Sequence, residues 1–414
     1  METEGLIPHL FRTEYRKIVS TLCKHFGFEQ IEIAEDLASD TFLAAAQVWA
    51  MKGMPVNPAA WLYNVAKNKA KNYLQHNHVF EHKIAAAIKN EVSSVDEDEI
   101  DLSAENINDS QLQMMFAICH PAISPEAQVG LSLRILCGFG IDEIAEAFLT
   151  NKELINKRLF RAKEILREQK IKIELPARAE IDGRLSTVLT TIYLLFNEGY
   201  YSAGQNHTIR KELCLEAMRL CNMLVEYEAT NKPQVNALLA LMCFHASRLD
   251  ARMNESGELI LYEEQDTGLW NGELISKGAY FLSRSASGNR ASKYHLEAAI
   301  AWWQTQKEDT NEKWEQMLQL HDQLLQIEYS PIAALNRAYA LSKVNGKAAA
   351  IEAAEQVSLN KHHLYHALLA DLYIGIDNAK AMTHLQKAMS LARSAADRAI
   401  LTRKILLYEQ KNTA

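Results

Sequence analysis

The stretch GIDEIAEAFLTNKELINKRLFRAKEIL, residues 140–166, constrains this chain more than any other. Its apolar residues recur at helical spacing, stop, and then resume. Ile144, Ala145 and Phe148 form the stripe of a short helix. Leu149, Thr150 and Asn151 break it, with Asn151 placed to cap a second helix. Leu154, Ile155, Leu159, Ala162, Ile165 and Leu166 make the buried face of that second helix, and Lys152, Asn156, Lys157, Arg161 and Lys163 line its opposite face. The pattern reads as a helix-turn-helix whose second helix is shaped to enter a DNA major groove. Residues 151–175 hold eight Lys/Arg against four Asp/Glu, net +4, the footprint expected of a phosphate-contacting helix. Taken alone, the same pattern suits an ordinary packed helix pair with a solvated basic face.

The rest of the chain narrows the class to all-α. Gly and Pro are few, alternating β-branched runs are nearly absent, and 414 residues at 48% hydrophobic content suffice for two or three domains. No apolar run approaches a bilayer span and no secretory signal is visible, so the expectation is a cytoplasmic protein without a membrane partner. Six scattered cysteines read as buried reduced thiols. The net charge of −8 argues against a protein that coats nucleic acid unaided. Residues 1–175 carry 19 basic and 25 acidic side chains, so DNA binding would rest on local basic faces or on a larger partner that supplies affinity.

Helices are expected at 9–26, with Phe11, Tyr15, Ile18, Leu22 and Phe26 on one face, and at 31–50. In the latter, Leu37, Thr41, Ala44, Ala45 and Val48 make the buried stripe, while Glu35, Asp36, Ser39 and Asp40 stay polar. Gly53, Pro55 and Pro58 mark a loop over 51–58. A third helix over 57–77 is two-sided: Leu62, Val65, Ala66, Ala70, Tyr73 and Leu74 face a core, opposite Asn64, Lys67, Asn68, Lys71, Asn72 and Gln75. That polar face suits phosphate and base contact, or plain solvation. Residues 91–109 hold eight Asp/Glu and no Lys/Arg and read as a solvated linker. Ser124 and Pro125 fit a helix cap and first turn. Beyond Pro176 the chain is nearly neutral, with 25 basic and 27 acidic residues, and reads as a run of helices. Two hairpins near its end resemble each other at an offset of 32: Ala338 matches Ala370, Leu341 Tyr373, Gly346 Asn378, and Ala349 Ala381. A period in the low thirties suggests a tetratricopeptide-like solenoid.

No phosphate-binding loop, dinucleotide fingerprint, zinc-protease motif or nucleophile elbow is present, and no catalytic residue is assigned. His76, His78 and His82 read as a polar helix end, and His362 with His363 as neighbours on different helix faces. Neither group is read as a metal site. No enzyme activity, cofactor or metal is expected.

The order of parts is specific. An acidic-faced helix, a Trp-bearing loop, an Asn/Lys-faced helix, an acidic linker and a basic helix-turn-helix together resemble the extracytoplasmic-function sigma factors of bacterial RNA polymerase. The resemblance is to the subgroup with a long helical C-terminal extension. It is carried by AEDLASDTFLAA (34–45), NPAAWLYNVAKNKA (57–70), ISPEAQVGLSLRIL (123–136) and DEIAEAFLTNKELINKRLFRAKEIL (142–166). In the extension it is carried by DGRLSTVLTTIYLLFNEGY (182–200), EEQDTGLW (263–270) and SPIAALNRAYAL (330–341).

The resemblance implies region 2 at 1–80, a linker at 81–110, region 4 at 111–175 and a helical extension at 176–414. It implies that Asp36, Ser39, Asp40, Thr41 and Phe42 dock the β′ clamp helices of core RNA polymerase, with the β flap as a further contact. Trp61, Asn64, Lys67, Asn68 and Lys71 would engage the melted −10 element of promoter DNA, with Trp61 and the loop 51–58 beside a flipped base. Lys152, Asn156, Lys157, Arg158, Phe160 and Arg161 would read or clamp the −35 element. Asp182, Gly183, Arg184, Asn197 and Glu198 would anchor the extension, which is expected to regulate the sigma regions in cis and to offer its repeats to an unknown protein or ligand. Two readings from other classes stand beside this one: a helical-repeat scaffold that binds protein, and a stand-alone helix-turn-helix regulator.

Overall fold

The structure, a computed structural model, describes residues 2–88, 100–148, 150–201, 207–252, 260–287, 291–392 and 395–413. All regular structure among them is helical. The chain divides into two compact units, residues 1–195 and 196–414.

In the first unit, α1 (Glu2–Phe26), α2 (Ile31–Lys52) and α3 (Pro58–Ile88) pack against one another. The periodic apolar residues of α1 do what their spacing predicts: Tyr15, Ile18 and Leu22 are fully buried. Gly27 and Gly53 end α1 and α2 at φ of 82° and 78°, a conformation that other residues adopt only with strain. Helix α4 (Ala104–Ile118) is capped by Ser103 and packs on α1. Ser124 caps α5 (Pro125–Leu131) with Pro125 in its first turn, as the sequence predicts. A single π turn over Ser132–Leu136 comes next and carries Arg134 towards α1 and α2. Helices α6 (Ile141–Ala147) and α7 (Lys152–Glu168) pack together, and α5 backs α7.

Two boundaries differ from the sequence expectation. The expected linker at 81–110 is helical up to Ile88 and again from Ala104, and Ile100 is buried; residues 89–99 lie outside the described residues. The expected break at 176 also moves. Helix α8 (Ile181–Tyr201) belongs to the first unit through Leu195. There Arg184 Nη2 donates to the Phe116 carbonyl at 2.5 Å, and the Thr191 hydroxyl donates to Gln128 Oε1 at 2.9 Å. Regions expected as separate domains at 1–80 and 111–175 lie within this one unit.

The second unit is built on α10 (Pro233–Ala246), which is apolar nearly all round and accordingly buried on almost every face. Helices α9 (His207–Glu226), α11 (Gly272–Ser285) and α12 (Lys293–Gln304) pack against it. From there each helix packs on the next: α13 (Asn311–Ile327), α14 (Pro331–Asn345), α15 (Lys347–Glu355), α16 (His363–Tyr373), α17 (Asn378–Leu391) and α18 (Ala395–Thr413). Ala338 and Ala370 are buried in equivalent places, 32 residues apart. The second helices of the two hairpins begin 31 residues apart, at Lys347 and Asn378, so the buried match of Ala381 is Ala350 rather than Ala349. The cause is helix length: α16 has 11 residues against the 15 of α14, and its longer turn, four residues (374–377) where Gly346 alone at φ 85° joins α14 to α15, makes up only part of the difference. Among the described residues no helix is long and apolar enough to cross a membrane.

Candidate nucleic-acid interface

Helix α7 starts where its cap residue dictates, with Asn151 Oδ1 accepting from the Leu154 amide at 2.8 Å. Ile155, Leu159, Ala162 and Leu166 are buried, so the opposite face is presented outward. Asn156, Lys157 and Arg161 are exposed on it, and so is the Phe160 ring. Lys152 is also exposed and pairs with Asp142 at 2.5 Å. Arg158 is half-buried, its guanidinium 5.7 Å from the centre of the Phe148 ring. Leu154, assigned to the core by its spacing, is instead exposed. Leu149 lies outside the described residues.

Helix α3 presents its second polar face in the same manner. Leu62, Ala66 and Ala70 are fully buried, which turns Asn64, Asn68 and Lys71 to the surface, with Lys67 half-buried. Leu74 is exposed, unlike its predicted place in the core. Trp61 packs edge-on against Trp49 at 5.3 Å, half-buried at the start of the helix. The loop before it carries a fully exposed Val56, and Asn57 Oδ1 caps α3 by accepting from the Ala60 amide.

On α2, Asp36, Ser39 and Asp40 are exposed, with the Ser39 hydroxyl donating to the Glu35 carbonyl at 2.8 Å. Thr41 and Phe42 are core residues. Thr41 is fully buried and donates to the Leu37 carbonyl, and Phe42 meets the Phe11 ring at 5.0 Å. Their side chains are therefore not presented to a docking partner.

Glu35 departs furthest from its sequence reading. Expected on a polar surface, it is 9% exposed. Arg134 Nε donates to its Oε1 at 3.1 Å and Lys163 Nζ donates to its Oε2. Arg134 also donates to the Phe139 carbonyl and the Tyr15 hydroxyl, and its guanidinium lies 5.5 Å from the Tyr15 ring. One turn away Arg167 pairs with Glu32 at 2.6 Å. Burial raises the Tyr15 hydroxyl pKa well above its ordinary value; Arg134 opposes the rise and Glu35 adds to it. The basic face of α7 is thus divided: Lys163 and Arg167 are spent on α2, while Asn156, Lys157 and Arg161 remain outward.

Of the expected regulatory residues, Arg184 binds the end of α4, and Asp182 and Gly183 are exposed beside it. Asn197 and Glu198 are half-buried in the second unit. His362 caps α16 and its ring stacks on His363 at 4.6 Å, so the two histidines share a helix start rather than opposite faces. The side chains of His78 and His82 lie outside the described residues. All six cysteines are free and buried.

Comparison with known proteins bears on α2 and α3. The sigma-70 region 2 family matches residues 10–78, the three-helix part that holds α2 and α3. A family of unknown function, DUF6596, matches residues 184–286. An uncharacterized protein of Rhizobium meliloti (strain 1021) is 30% identical over 382 residues, covering 90% of this chain and 89% of the relative. The chain belongs to the sigma-70 family. Its region 2 and long C-terminal extension give it the organisation of an extracytoplasmic-function-like sigma factor. That family acts in transcription initiation through core RNA polymerase and promoter DNA, and is not an enzyme family. No solved structure matches the chain.

Proposed function

We propose that this sigma factor is of the extracytoplasmic-function type and acts in the cytoplasm, using α3 for the −10 element and α7 for the −35 element. The observation that carries the reading is the pair of outward polar faces, Asn64, Asn68 and Lys71 on α3 and Asn156, Lys157 and Arg161 on α7. Each lies opposite a fully buried stripe, so neither helix can turn these side chains inward. Asparagine and arginine have the planar donor geometry that reads base edges, and lysine supplies charge to phosphate. Asp36, Ser39 and Asp40 on α2 give the exposed acidic patch for the β′ clamp helices, and the helix-turn-helix is the part offered to the β flap. Core enzyme supplies most of the non-specific affinity, which is how a chain of net charge −8 can direct DNA binding.

Run-off transcription with purified core polymerase and the full chain tests this reading. Promoter-specific transcripts that disappear on Asn68→Ala or Lys157→Ala are expected. A salt-dependent shift of duplex DNA without core, and no transcripts with it, would favour a stand-alone regulator.

The extension regulates these regions in cis in this proposal. Arg184 and Thr191 support it, because the first turns of α8 are built into the first unit. A truncation for this purpose belongs after residue 201, where the first unit keeps its α8 turns. Transcription unchanged by that truncation would remove the regulatory role.

A further inference from the structure

The second unit gathers three cations that, among the described residues, no carboxylate pairs with. Arg248 Cζ, Lys307 Nζ and Lys313 Nζ lie 5.4, 5.2 and 5.4 Å from the centre of one ring, that of Tyr262. Arg248 and Lys307 also flank the Trp270 ring, at 5.9 and 5.7 Å. Arg248 is 5% exposed and Lys313 2%. Among the described residues none of the three forms an ion pair. The nearby carboxylates are engaged elsewhere: Asp309 accepts from the Trp314 indole and lies 3.5 Å from Lys343, and Glu263 accepts from the Tyr339 hydroxyl. Burying even one cation without a counter-charge is costly, and three around one ring add mutual repulsion.

The donors divide into used and spare. Lys307 Nζ donates to the carbonyls of Tyr262, Glu263 and Gln265 at 2.9, 3.5 and 3.1 Å, which uses its three protons. Lys313 Nζ donates to the Gln306 carbonyl at 2.6 Å and the Tyr262 hydroxyl at 3.2 Å, leaving one proton. Arg248 Nη2 donates to Gln304 Oε1 and the Tyr200 hydroxyl, but its buried Nε has no partner among the described residues. The buried Trp270 indole Nε1 and Gln265 Oε1 likewise have none among them. Burial pulls the Lys313 ammonium pKa below its usual value; Asp309 opposes this and Lys307 and Arg248 add to it.

We propose that Arg248, Lys313 and Trp270 form a binding site for a phosphoryl dianion. A guanidinium and an ammonium with spare N–H groups are the donors such an oxyanion takes, and the aromatic rings wall the site. A dianion answers three positive charges better than a monocarboxylate does. Lys307 is the exposed member and marks the side from which an anion would reach the buried donors. The site is independent of the promoter reading, since it lies wholly in the second unit.

The test uses the full chain at neutral pH and constant ionic strength, with potassium chloride exchanged for potassium phosphate. Thermal unfolding and tryptophan emission are the readouts. The site predicts a saturable rise in Tm of a few degrees with orthophosphate over chloride, and a change in emission with the same midpoint. Both are lost in Lys313→Met and in Arg248→Gln; should Arg248→Gln fail to fold, Lys313→Met carries the test. A parallel arm with phenyl phosphate separates the sources: tighter binding than orthophosphate points to a phosphorylated small molecule, weaker binding to free phosphate. A phosphate effect no larger than that of chloride, or one that persists in Lys313→Met, overturns the proposal.

Discussion

Glu35 in the first unit stands between Arg134 and Lys163, while in the second unit Arg248, Lys307 and Lys313 surround Tyr262 and, among the described residues, no carboxylate forms an ion pair with any of them. The ingredients are otherwise alike. Each cluster buries most of its members, and each sets an arginine over a tyrosine ring, at 5.5 Å for Tyr15 and 5.4 Å for Tyr262. The first cluster has a carboxylate that both of its cations meet, and it holds α7 and the π turn to α2. The second has no such carboxylate. A buried charge that has its partner is costly to disturb, whereas one that lacks a partner is costly to keep.

Removing one charge from each cluster tests this contrast, and the signs should differ. Glu35→Gln leaves Arg134 and Lys163 facing each other with side-chain exposures of 20% and 12%, and should cost the chain about 3–5 kcal/mol in urea unfolding at pH 7. Lys313→Met, in chloride buffer, removes a buried cation from a like-charged group and should be neutral or stabilising. Equal losses in the two variants would break the comparison.

Acid sharpens it from the other side. His321, 5% exposed in the second unit, has its imidazole pKa lowered from 6.5 to about 4, chiefly by burial; Asp322 opposes the shift and Arg337 adds to it. Above pH 6.5 neither folded nor unfolded chain carries this proton. As pH falls below 6.5 the unfolded chain takes it first, and the folded chain resists until about pH 4. Stability should drain by about 3 kcal/mol across that window. His321→Leu should flatten the pH dependence of unfolding there; an unchanged slope would show that the ring is not held neutral.

Two glycines compare the packing of the units with charge left out. A Cβ at Gly278 would sit 2.6 and 2.8 Å from two ring carbons of Phe244, which is fully buried. Gly278→Ala should cost about 1–3 kcal/mol by overpacking. A Cβ at Gly130 would meet only the Leu159 Cδ2 methyl, at 3.0 Å, the end of a flexible side chain. Both glycines are helical, so alanine recovers about 0.5–1 kcal/mol of backbone entropy at each, and Gly130→Ala should be close to neutral. A loss at Gly130 as large as that at Gly278 would show the two cores to be equally rigid.

How much of the molecule is legible in its sequence depends on the range of the physics. The all-α class and the starts of α5 and α7 rest on local rules, namely helical apolar spacing and caps such as Ser124 and Asn151, and these are legible. The candidate site is legible in its outward faces, Asn64, Asn68 and Lys71 on α3 and Asn156, Lys157 and Arg161 on α7, because a buried stripe fixes the opposite face. Glu35 is not. Nothing local separates it from Asp36 or Asp40, and its partners lie 99 and 128 residues away. Thr41 has two readings, buried by its helical spacing and exposed by the docking pattern, and the spacing prevails; Phe42 rests on the docking pattern alone, and it too is buried. Leu154 and Leu74 have core spacing but are exposed. The cluster around Tyr262 draws on residues from 248 to 313 in unrelated elements, so no period announces it. Its one trace is the stretch EEQDTGLW, visible only as a resemblance.

The smallest effects on stability belong to the exposed face of α7, and there the comparison separates folding from function. Lys157 and Arg161 have no packing role opposite Ile155, Leu159 and Ala162, so alanine at either should change unfolding free energy by less than about 0.5 kcal/mol. Lys163, on the same helix, is already committed to Glu35. If α7 lies along promoter DNA, Lys157→Ala and Arg161→Ala should each lower the slope of log binding against log salt by about 1 for the polymerase complex. Lys163→Ala should leave that slope alone and reduce stability instead. A salt slope that falls with Lys163→Ala and not with Lys157→Ala would mean that α7 leaves α2 on binding and turns a different face to the DNA, because a side chain held by Glu35 cannot also neutralise a phosphate.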